Sequence, residues 1–275
     1  MRLLPEIIRC VIVIAAAAAL LLSSDGKAAT LAGQQVPAGG GTCEIHFPVE
    51  PQFQQFATEG GNPRPTAGRA LLIFPSGFDP SRTWPILVVT STSDFDRTSP
   101  MDAPSYRDAA MKEGWIVLAT DATIRPRIDS SAWRFAMMGA ALQTMRHDWP
   151  QSANWPIAFA GFSGGAKTSG IIGPMLANSG KVRICGFFLA GINSDRLSAA
   201  YKESQLSPNF LNTPIWISEG ATDRIAPPAT AELVYYSLKR AGFKQVRLEQ
   251  FSGGHALNKS EVARALHWFR EVGKF

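Results

Sequence analysis

Residues 157–178 have the sequence IAFAGFSGGAKTSGIIGPMLAN, and this stretch decides the fold. Its first part, Ile157–Phe162, is a short, continuous apolar run, which is typical of a strand covered on both faces. The part from Gly164 to Asn178 is long enough for a helix of about four turns. Ser163 therefore lies at a turn that joins a buried strand directly to a helix.

The same alternation of strands and helices extends over most of the chain. Strands are predicted at residues 70–74, 85–90, 115–120, 157–162, 183–190, 214–219 and 245–251, and helices at 101–113, 131–147, 164–178, 229–241 and 260–272. The turn-rich link between the first two strands favours a hairpin. Helices between the later strands imply right-handed crossovers, so we expect an α/β fold with a doubly wound, mostly parallel sheet and helices on both faces.

The turn itself, Gly161-Phe162-Ser163-Gly164-Gly165, contains the pattern Gly-x-Ser-x-Gly. A serine on such a turn has a strained backbone, and a Cβ two positions to either side would collide with the neighbouring strand or helix. The pattern alone is weak, and a small-residue turn used only for packing is the alternative. Its position favours Ser163 as a nucleophile, because ligands bind at the carboxyl ends of parallel strands.

Two other residues follow predicted strands and fit an acid and a base. Asp223 follows the strand at 214–219, where an aspartate often serves only as a helix cap or an Asx turn. The four histidines are at positions 46, 147, 255 and 267. The first two precede Ser163 and break the chain order Ser…Asp…His, and the last lies within an amphipathic helix. His255, directly after the final strand, is therefore the candidate base.

On these residues the chain resembles the α/β-hydrolases over residues 69–272. The resemblance depends on the turn at 161–165, the acid in Gly220-Ala221-Thr222-Asp223 and the base in Gly253-Gly254-His255. Within that superfamily the chain is most similar to secreted esterases related to polyhydroxyalkanoate depolymerases and feruloyl esterases. The resemblance implies hydrolysis of a small or polymeric carboxylic ester through an acyl-enzyme on Ser163, with neither a metal nor an organic cofactor.

The resemblance also implies an oxyanion hole made of backbone N–H groups. One donor is expected from Gly164, the residue after the nucleophile. The loop that supplies the second donor often contains a His-Gly pair in this superfamily, but here residues 89–94 are Val-Thr-Ser-Thr-Ser-Asp. The candidates for the second donor are therefore the N–H groups of Thr92 and Ser93.

The segment available for a cap over the site is short. Many lipases of this superfamily insert a long helical cap after the sixth strand, whereas here only residues 191–213 lie between two predicted strands. We expect a helix and a loop at most, without a large cap domain, and hence an open pocket for short-chain or polymer-surface esters. Tyr201, Phe210 and Trp133 are candidates to line that pocket, with a place in the core as the alternative.

The three candidate residues do not define the substrate by themselves. A peptidase or a thioesterase would share them, because the acyl-transfer chemistry is the same. A non-catalytic envelope or polymer-binding module on the same scaffold is an alternative from a different class of protein, and the fold alone does not separate it from an enzyme.

The N-terminus differs in composition from the rest of the chain. Two arginines lie in the first nine residues, and the twelve apolar residues Val11–Leu22 then lead into Ser23 and Ser24, which is typical of a signal peptide. As a helix this run would span about 18 Å, short of a hydrocarbon core of about 30 Å. We therefore expect a secreted or periplasmic protein without a stable membrane span, an uncleaved anchor or a wrongly assigned start codon being the alternative. The expected parts are a signal peptide at 1–24, an extended leader and N-terminal loops at 25–68, and the hydrolase domain at 69–275. The sequence does not decide between cleavage after Ser24 and cleavage near Ala28 or Ala32.

The overall composition excludes several classes of protein. The 275 residues are 45% hydrophobic and 18% charged, which suits a globular domain and excludes disorder as the main state. The net charge of +5 comes without a basic run, so nucleic-acid binding is not expected. The cysteines lack the spacing of a zinc site, and for Cys43 and Cys185 both a disulfide and two free thiols are compatible with the sequence. No feature of the sequence indicates the oligomeric state.

Overall fold

The computed structural model describes residues 29–37, 39–93, 97–180 and 182–275. The predicted signal peptide at 1–24 lies outside these residues. Within the described ranges, no helix is both long and apolar enough to cross a membrane.

An eight-stranded sheet forms the centre of the molecule. A separate two-stranded ribbon, Thr30–Leu31 (β1) and Gln34–Gln35 (β2), precedes it. The strands of the main sheet are, in chain order, Gly41–Pro48 (β3), Ala67–Phe74 (β4), Ile86–Thr90 (β5), Ile116–Ala122 (β6), Pro156–Phe162 (β7), Arg183–Ala190 (β8), Ile215–Gly220 (β9) and Val246–Phe251 (β10). Their order across the sheet is β10-β9-β8-β7-β5-β6-β4-β3. Every pair from β10 to β6 is parallel, and β4 and β3 add two antiparallel pairings at one edge.

Helices cover both faces of the sheet, as predicted. They are Pro51–Ala57 (α1), Ser99–Asp102 (α2), Arg107–Lys112 (α3), Ser131–Asp148 (α4), Gly164–Asn178 (α5), Leu197–Glu203 (α6), Pro228–Ala241 (α7) and Lys259–Gly273 (α8). Successive residues of β5 contribute to opposite faces: Ile86 and Val88 pack into the core layer with α4 and α5, and Leu87 and Val89 into the layer with α8. This alternation explains why the strand is apolar throughout, because both of its faces are buried.

The predicted hairpin between β4 and β5 is wrong. Strand β4 pairs with β3 and β6, whereas β5 lies between β6 and β7. All five residues of β5 are buried, so the strand needs a neighbour on each edge as well as cover on each face. The segment between β4 and β5 therefore passes over β6. Phe78 anchors this segment, because its ring lies 4.6 Å from that of Phe74 and 5.5 Å from that of Trp84.

The helix predicted at 101–113 is interrupted. It consists of α2, a 3₁₀ turn at Ala103–Tyr106 and α3. Pro104 lies at the start of the 3₁₀ turn. Because proline lacks an N–H group and clashes with the preceding turn, it breaks a continuous α-helix at this point.

The prediction that the fold lacks a large cap is confirmed for the described residues. The segment 191–213 holds only α6 and a 3₁₀ turn at Pro208–Asn212. The rings of Tyr201 and Phe210 stack at 6.0 Å and both pack against Phe243, while Trp133 is 2% exposed. Tyr201 and Phe210 thus pack with the core, whereas the buried Trp133 also lines a cavity.

The sheet also extends into the N-terminal part of the chain. Strand β3 pairs along its whole length with β4 and forms one edge of the main sheet. It carries Cys43 in one core layer, whereas Cys185 of β8 lies in the layer on the opposite face. Both cysteines are free and buried, and burial raises the pKa of each thiol.

Candidate active site

Ser163 occupies the turn between β7 and α5 and has a backbone conformation that non-glycine residues rarely adopt. Its φ is 55° and its ψ is −117°. Its N–H group donates to the carbonyl oxygen of Ala190 at 2.8 Å, and its own carbonyl oxygen accepts from the N–H of Ala166 at 3.1 Å. The strained residue is therefore held from both sides, as a nucleophile elbow requires.

The glycines around Ser163 leave no room for side chains. A Cβ on Gly161 would overlap the backbone of Gly165, and a Cβ on Gly165 would overlap the carbonyl oxygen of Thr90. The Thr90 hydroxyl donates to the carbonyl oxygen of Gly165 at 2.7 Å, which ties the end of β5 to the start of α5. These close approaches bring the first turn of α5 directly onto the ends of the central strands.

Asp223 and His255 are joined by a hydrogen bond of 2.6 Å between Asp223 Oδ2 and His255 Nδ1. Asp223 is 4% exposed, and its Oδ1 accepts from the N–H groups of Ile225 and Ala226 at 2.8 and 2.9 Å. Burial raises the pKa of this carboxyl, but the hydrogen bonds from Ala226, His255 and Ile225 outweigh burial and bring the pKa below its ordinary value. An ionised Asp223 accepts a hydrogen bond from Nδ1–H of His255, which leaves His255 Nε2 without a proton and free to act as a base.

The His255 ring lies beside Phe162 and Gly191, close to the turn that carries Ser163. Its centroid is 4.5 Å from that of Phe162, the residue before Ser163. On another side the ring approaches Gly191, where an added Cβ would lie 3.1 Å from His255 Cε1. Among the described residues, no hydrogen bond joins the Ser163 hydroxyl to His255. Such bonds are often long in unliganded sites and tighten when substrate binds.

The other three histidines lie elsewhere and face surface carboxylates. His46 lies 3.8 Å from Glu44, His147 lies 2.8 Å from Asp148, and His267 lies 3.2 Å from Glu113. The chain-order argument and the structure therefore both select His255 as the histidine next to Asp223.

Glu219 is a buried acid that the sequence analysis did not single out. It is 1% exposed, and its Oε1 accepts from the Gly220 N–H at 3.0 Å. Burial, then the hydrogen bond to the Asp223 side chain and the negative charge of Asp223, raise the Glu219 pKa to about 8. Glu219 is therefore mainly protonated at neutral pH. The available signal was a single acid at the end of an otherwise uncharged strand, directly before Gly220.

The structure brings two of the three predicted oxyanion residues together. Thr92 packs on Gly164, where an added Cβ would lie 2.8 Å from Thr92 Cβ and 3.1 Å from its Cα. The Gly164 N–H is the first of α5, where backbone N–H groups have no acceptor within the helix. No described residue accepts a hydrogen bond from the N–H of Thr92 or of Ser93. Ser93 is exposed.

A cavity of about 480 Å³ lies to one side of this site. Four arginines contribute to its wall: Arg69, Arg97, Arg125 and Arg134. Several of them are paired with acids, as in Arg69–Asp121 at 3.1 Å. Ser163, Asp223 and His255 are not among the described residues that line the cavity, whereas the end of β6, at Thr120–Ala122, does line it.

Solved structures resemble this chain, although no protein-family model matches it and no curated protein gives a significant match. An esterase from Pyrobaculum calidifontis is 14% identical, with 84% of this chain and 85% of that one covered and a TM-score of 0.57. A bacterial heroin esterase is 17% identical, with coverages of 95% and 90% and a TM-score of 0.56. An acylaminoacyl peptidase from Pyrococcus horikoshii is 12% identical, with coverages of 86% and 42% and a TM-score of 0.53.

Together with the strand order, these likenesses show that the chain has the α/β-hydrolase fold. At this level of identity they show the fold alone, and it is shared by esterases and a peptidase. The narrower similarity to polyhydroxyalkanoate depolymerases and feruloyl esterases stays a prediction.

Proposed function

We propose that the protein is a secreted serine esterase that hydrolyses carboxylic esters, with Ser163 as nucleophile, His255 as general base and Asp223 as the acid that orients the base. The observation that carries the proposal is the 2.6 Å contact between Asp223 and His255, beside a turn whose serine has a φ of 55°. The fold, which known esterases share, supports it.

The chemistry follows from the protonation states. The Ser163 oxygen attacks the ester carbonyl carbon while His255 Nε2 takes the hydroxyl proton. The resulting tetrahedral intermediate collapses, and the imidazolium returns the proton to the leaving alcohol. A water molecule, deprotonated by the same nitrogen, then attacks the acyl-enzyme. The second tetrahedral intermediate collapses, the imidazolium returns the proton to the Ser163 oxygen, and the acid is released. Asp223, with its lowered pKa, stays ionised throughout and stabilises the imidazolium.

The negative charge on the carbonyl oxygen needs fixed donors in both steps. We assign these to the N–H of Gly164 and to the N–H of Thr92 or Ser93. Removal of one such donor typically costs about 3–4 kcal/mol of transition-state stabilisation. The contact between Thr92 and Gly164 supports this assignment because it brings the two sources of N–H groups to one place.

The short segment after β8 supports an open substrate site. With only α6 and a 3₁₀ turn in residues 191–213, no large cap covers the strand ends, which favours short-chain or polymer-surface esters. Feruloyl and hydroxybutyrate esters are the specific candidates that the sequence resemblance suggests. Secretion is part of the proposal and depends on residues 1–24. N-terminal sequencing of the exported protein tests it.

A graded substrate panel tests the reaction. We expect the mature protein to hydrolyse p-nitrophenyl acetate and butyrate faster than the laurate, and to leave chromogenic peptides and acyl-CoA thioesters largely intact. Ser163→Ala is the matched control and should abolish turnover. Faster cleavage of the peptides or of the thioesters would favour a peptidase or a thioesterase with the same three residues. The peptides are included because the fold also resembles that of a peptidase.

Covalent labelling separates an enzyme from a binding module. A fluorophosphonate probe should label the wild-type protein and fail to label Ser163→Ala. A correctly folded wild-type protein that takes up no probe would contradict the proposed function and favour a non-catalytic module.

A further inference from the structure

An ion pair between Arg134 and Asp129 lies behind the loop that carries Thr92 and Ser93. Arg134 Nε donates to Asp129 Oδ1 at 2.7 Å, and Nη2 donates to Asp129 Oδ2. The two side chains are only 11% and 15% exposed. A carboxylate that accepts two bonds from one guanidinium fixes the plane of that group.

The start of helix α4 provides a rigid support for this pair. Arg134 lies in its first turns, and its N–H donates to the carbonyl oxygen of Ser130 at 3.1 Å. The side chain of Ser130 caps the helix by accepting from the N–H of Trp133 at 3.1 Å. Since Trp133 is buried in the core, the position of the guanidinium is set by the helix and its packing.

The remaining donors of Arg134 bind two consecutive carbonyl oxygens of the loop. Nη1 donates to the carbonyl oxygen of Ser91 at 2.5 Å and lies 3.2 Å from the Ser91 hydroxyl. Nη2 donates to the carbonyl oxygen of Thr92 at 2.6 Å. A single cation therefore sets the orientation of the peptide groups Ser91–Thr92 and Thr92–Ser93.

Peptide planarity then gives the direction of the N–H groups. In a trans peptide the C=O and the following N–H point in opposite directions, and the described residues contain no cis peptide bond. With both carbonyls directed at Arg134, the N–H groups of Thr92 and Ser93 point away from it. They are the two candidates for the second oxyanion donor, and no described residue accepts from them.

We propose that Arg134, held by Asp129, is the positioning residue that aims the second oxyanion donor. The inference depends on the proposed esterase function, and Arg134 acts through the loop without touching the substrate. The physical need is clear, because oxyanion stabilisation depends on donors that are already oriented before the reaction. In this loop Thr92 and Ser93 stand where the superfamily often has a His-Gly pair. The Arg134 guanidinium, bound to the carbonyl oxygens, orients the N–H groups of the loop.

Arg134→Lys in the mature protein is the direct test. Lysine keeps the charge but cannot bind Asp129 at two points and two carbonyls at once. We expect kcat for p-nitrophenyl acetate to fall about 10- to 100-fold, less than the 10²- to 10³-fold typical of deleting a donor, with KM changed less than about threefold. Affinity for a trifluoromethyl ketone, which forms an oxyanion on Ser163, should fall by the same factor as kcat.

Two further variants separate positioning from general stability. Asp129→Asn keeps the shape of the partner and removes one charge, and it should show a smaller loss of the same kind. Arg69→Lys is the matched control, since Arg69 lines the same cavity, pairs with Asp121 and has no hydrogen bond or ion pair with a described residue of the loop. It should leave kcat and ketone affinity unchanged. Thermal unfolding of each variant reports whether it is folded.

Each outcome decides the inference. Folded Arg134→Lys and Asp129→Asn proteins with wild-type kcat, or with a loss confined to KM, overturn it while the esterase function stands. A wild-type protein that neither turns over esters nor takes up the fluorophosphonate overturns the proposed function, and the inference with it. A parallel loss of kcat and ketone affinity in the Arg134 and Asp129 variants, absent from Arg69→Lys, supports it.

Discussion

Glu219 and Asp223 are buried carboxyl groups at the end of one strand and in the turn after it, and their pKa values are displaced in opposite directions. The pKa of Asp223 is lowered, whereas that of Glu219 is raised to about 8. Asp223 accepts hydrogen bonds from two backbone N–H groups and is hydrogen-bonded to His255 Nδ1. Among the backbone N–H groups of the described residues, Glu219 Oε1 accepts only from that of Gly220. The negative charge of the pair therefore resides on Asp223, the carboxylate that contacts His255.

The proton on Glu219 predicts a stability that falls with rising pH. In the folded protein Glu219 keeps its proton up to about pH 8, whereas its ordinary pKa is 4.5. Between these values the folded state binds more protons than the unfolded state, so the contribution is full below pH 4.5 and is lost as the pH rises through 8. For this group alone the loss between pH 5 and pH 8 is about 3 to 4 kcal/mol.

Glu219→Gln should remove that dependence, because glutamine has nearly the same shape and does not titrate. Urea unfolding at pH 5, 6.5 and 8 measures it, and the wild-type free energy of unfolding should fall more steeply than that of the variant. Glu59→Gln, at an exposed position, is the control and should follow the wild type. Parallel curves for wild type and Glu219→Gln would contradict the assignment of a protonated Glu219.

The strained backbone of Ser163 predicts that a glycine at this position is more stable than an alanine. Glycine tolerates positive φ, whereas alanine shares the strain of serine. We expect Ser163→Gly to be more stable than Ser163→Ala by about 1 kcal/mol, with both variants inactive towards esters and the fluorophosphonate. Denaturant unfolding measures the difference, and equal stabilities would argue that the turn carries no strain.

Asp223→Asn should separate catalysis from stability. An asparagine oxygen still accepts from the N–H groups of Ile225 and Ala226. The amide NH2 group then faces His255 Nδ1 and donates to it, so the wrong tautomer of His255 is favoured. We expect kcat/KM to fall on the order of 10³- to 10⁴-fold with the fold retained. Asp108→Asn, at an exposed position, is the control and should have wild-type kinetics. A loss of less than tenfold for Asp223→Asn would exclude Asp223 as the orienting acid.

The packing around the turn predicts that Gly161 does not tolerate a side chain. A Cβ there would overlap the backbone of Gly165, and backbone cannot move aside as a flexible side chain can. We expect Gly161→Ala to lose about 3 kcal/mol of stability or more, or to fail to accumulate as soluble protein. Gly39→Ala is the control, since no described residue apart from its chain neighbours has an atom within 4 Å of the added Cβ, and thermal unfolding of both variants checks the contrast.

Local pattern was sufficient for most elements after residue 69. Helix α5 and strand β8 have the predicted bounds because each combines a strong apolar pattern with clear boundary residues. The neighbours of β5 were predicted wrongly, since a turn-rich link does not show how far the next strand travels before it pairs. That Asp223 and His255 meet follows from their common position after parallel strands, while their catalytic roles stay predictions.

The residues that sequence reasoning missed depend on contacts between distant parts of the chain. Arg134 acts on Ser91 and Thr92, more than 40 residues earlier, and a single sequence gives no sign of that pairing. Glu219 is unusual because its side chain is buried at the end of β9, so that the carboxyl is cut off from water. Both features arise from tertiary burial and not from local propensity.

The separation of Cys43 and Cys185 on opposite faces of the sheet bears on how the protein matures. The described domain contains no covalent cross-link between them, and each thiol lies within an apolar layer that excludes solvent. Its folding should therefore proceed equally well in a reducing cytosol and in an oxidising compartment, without assistance from thiol oxidoreductases.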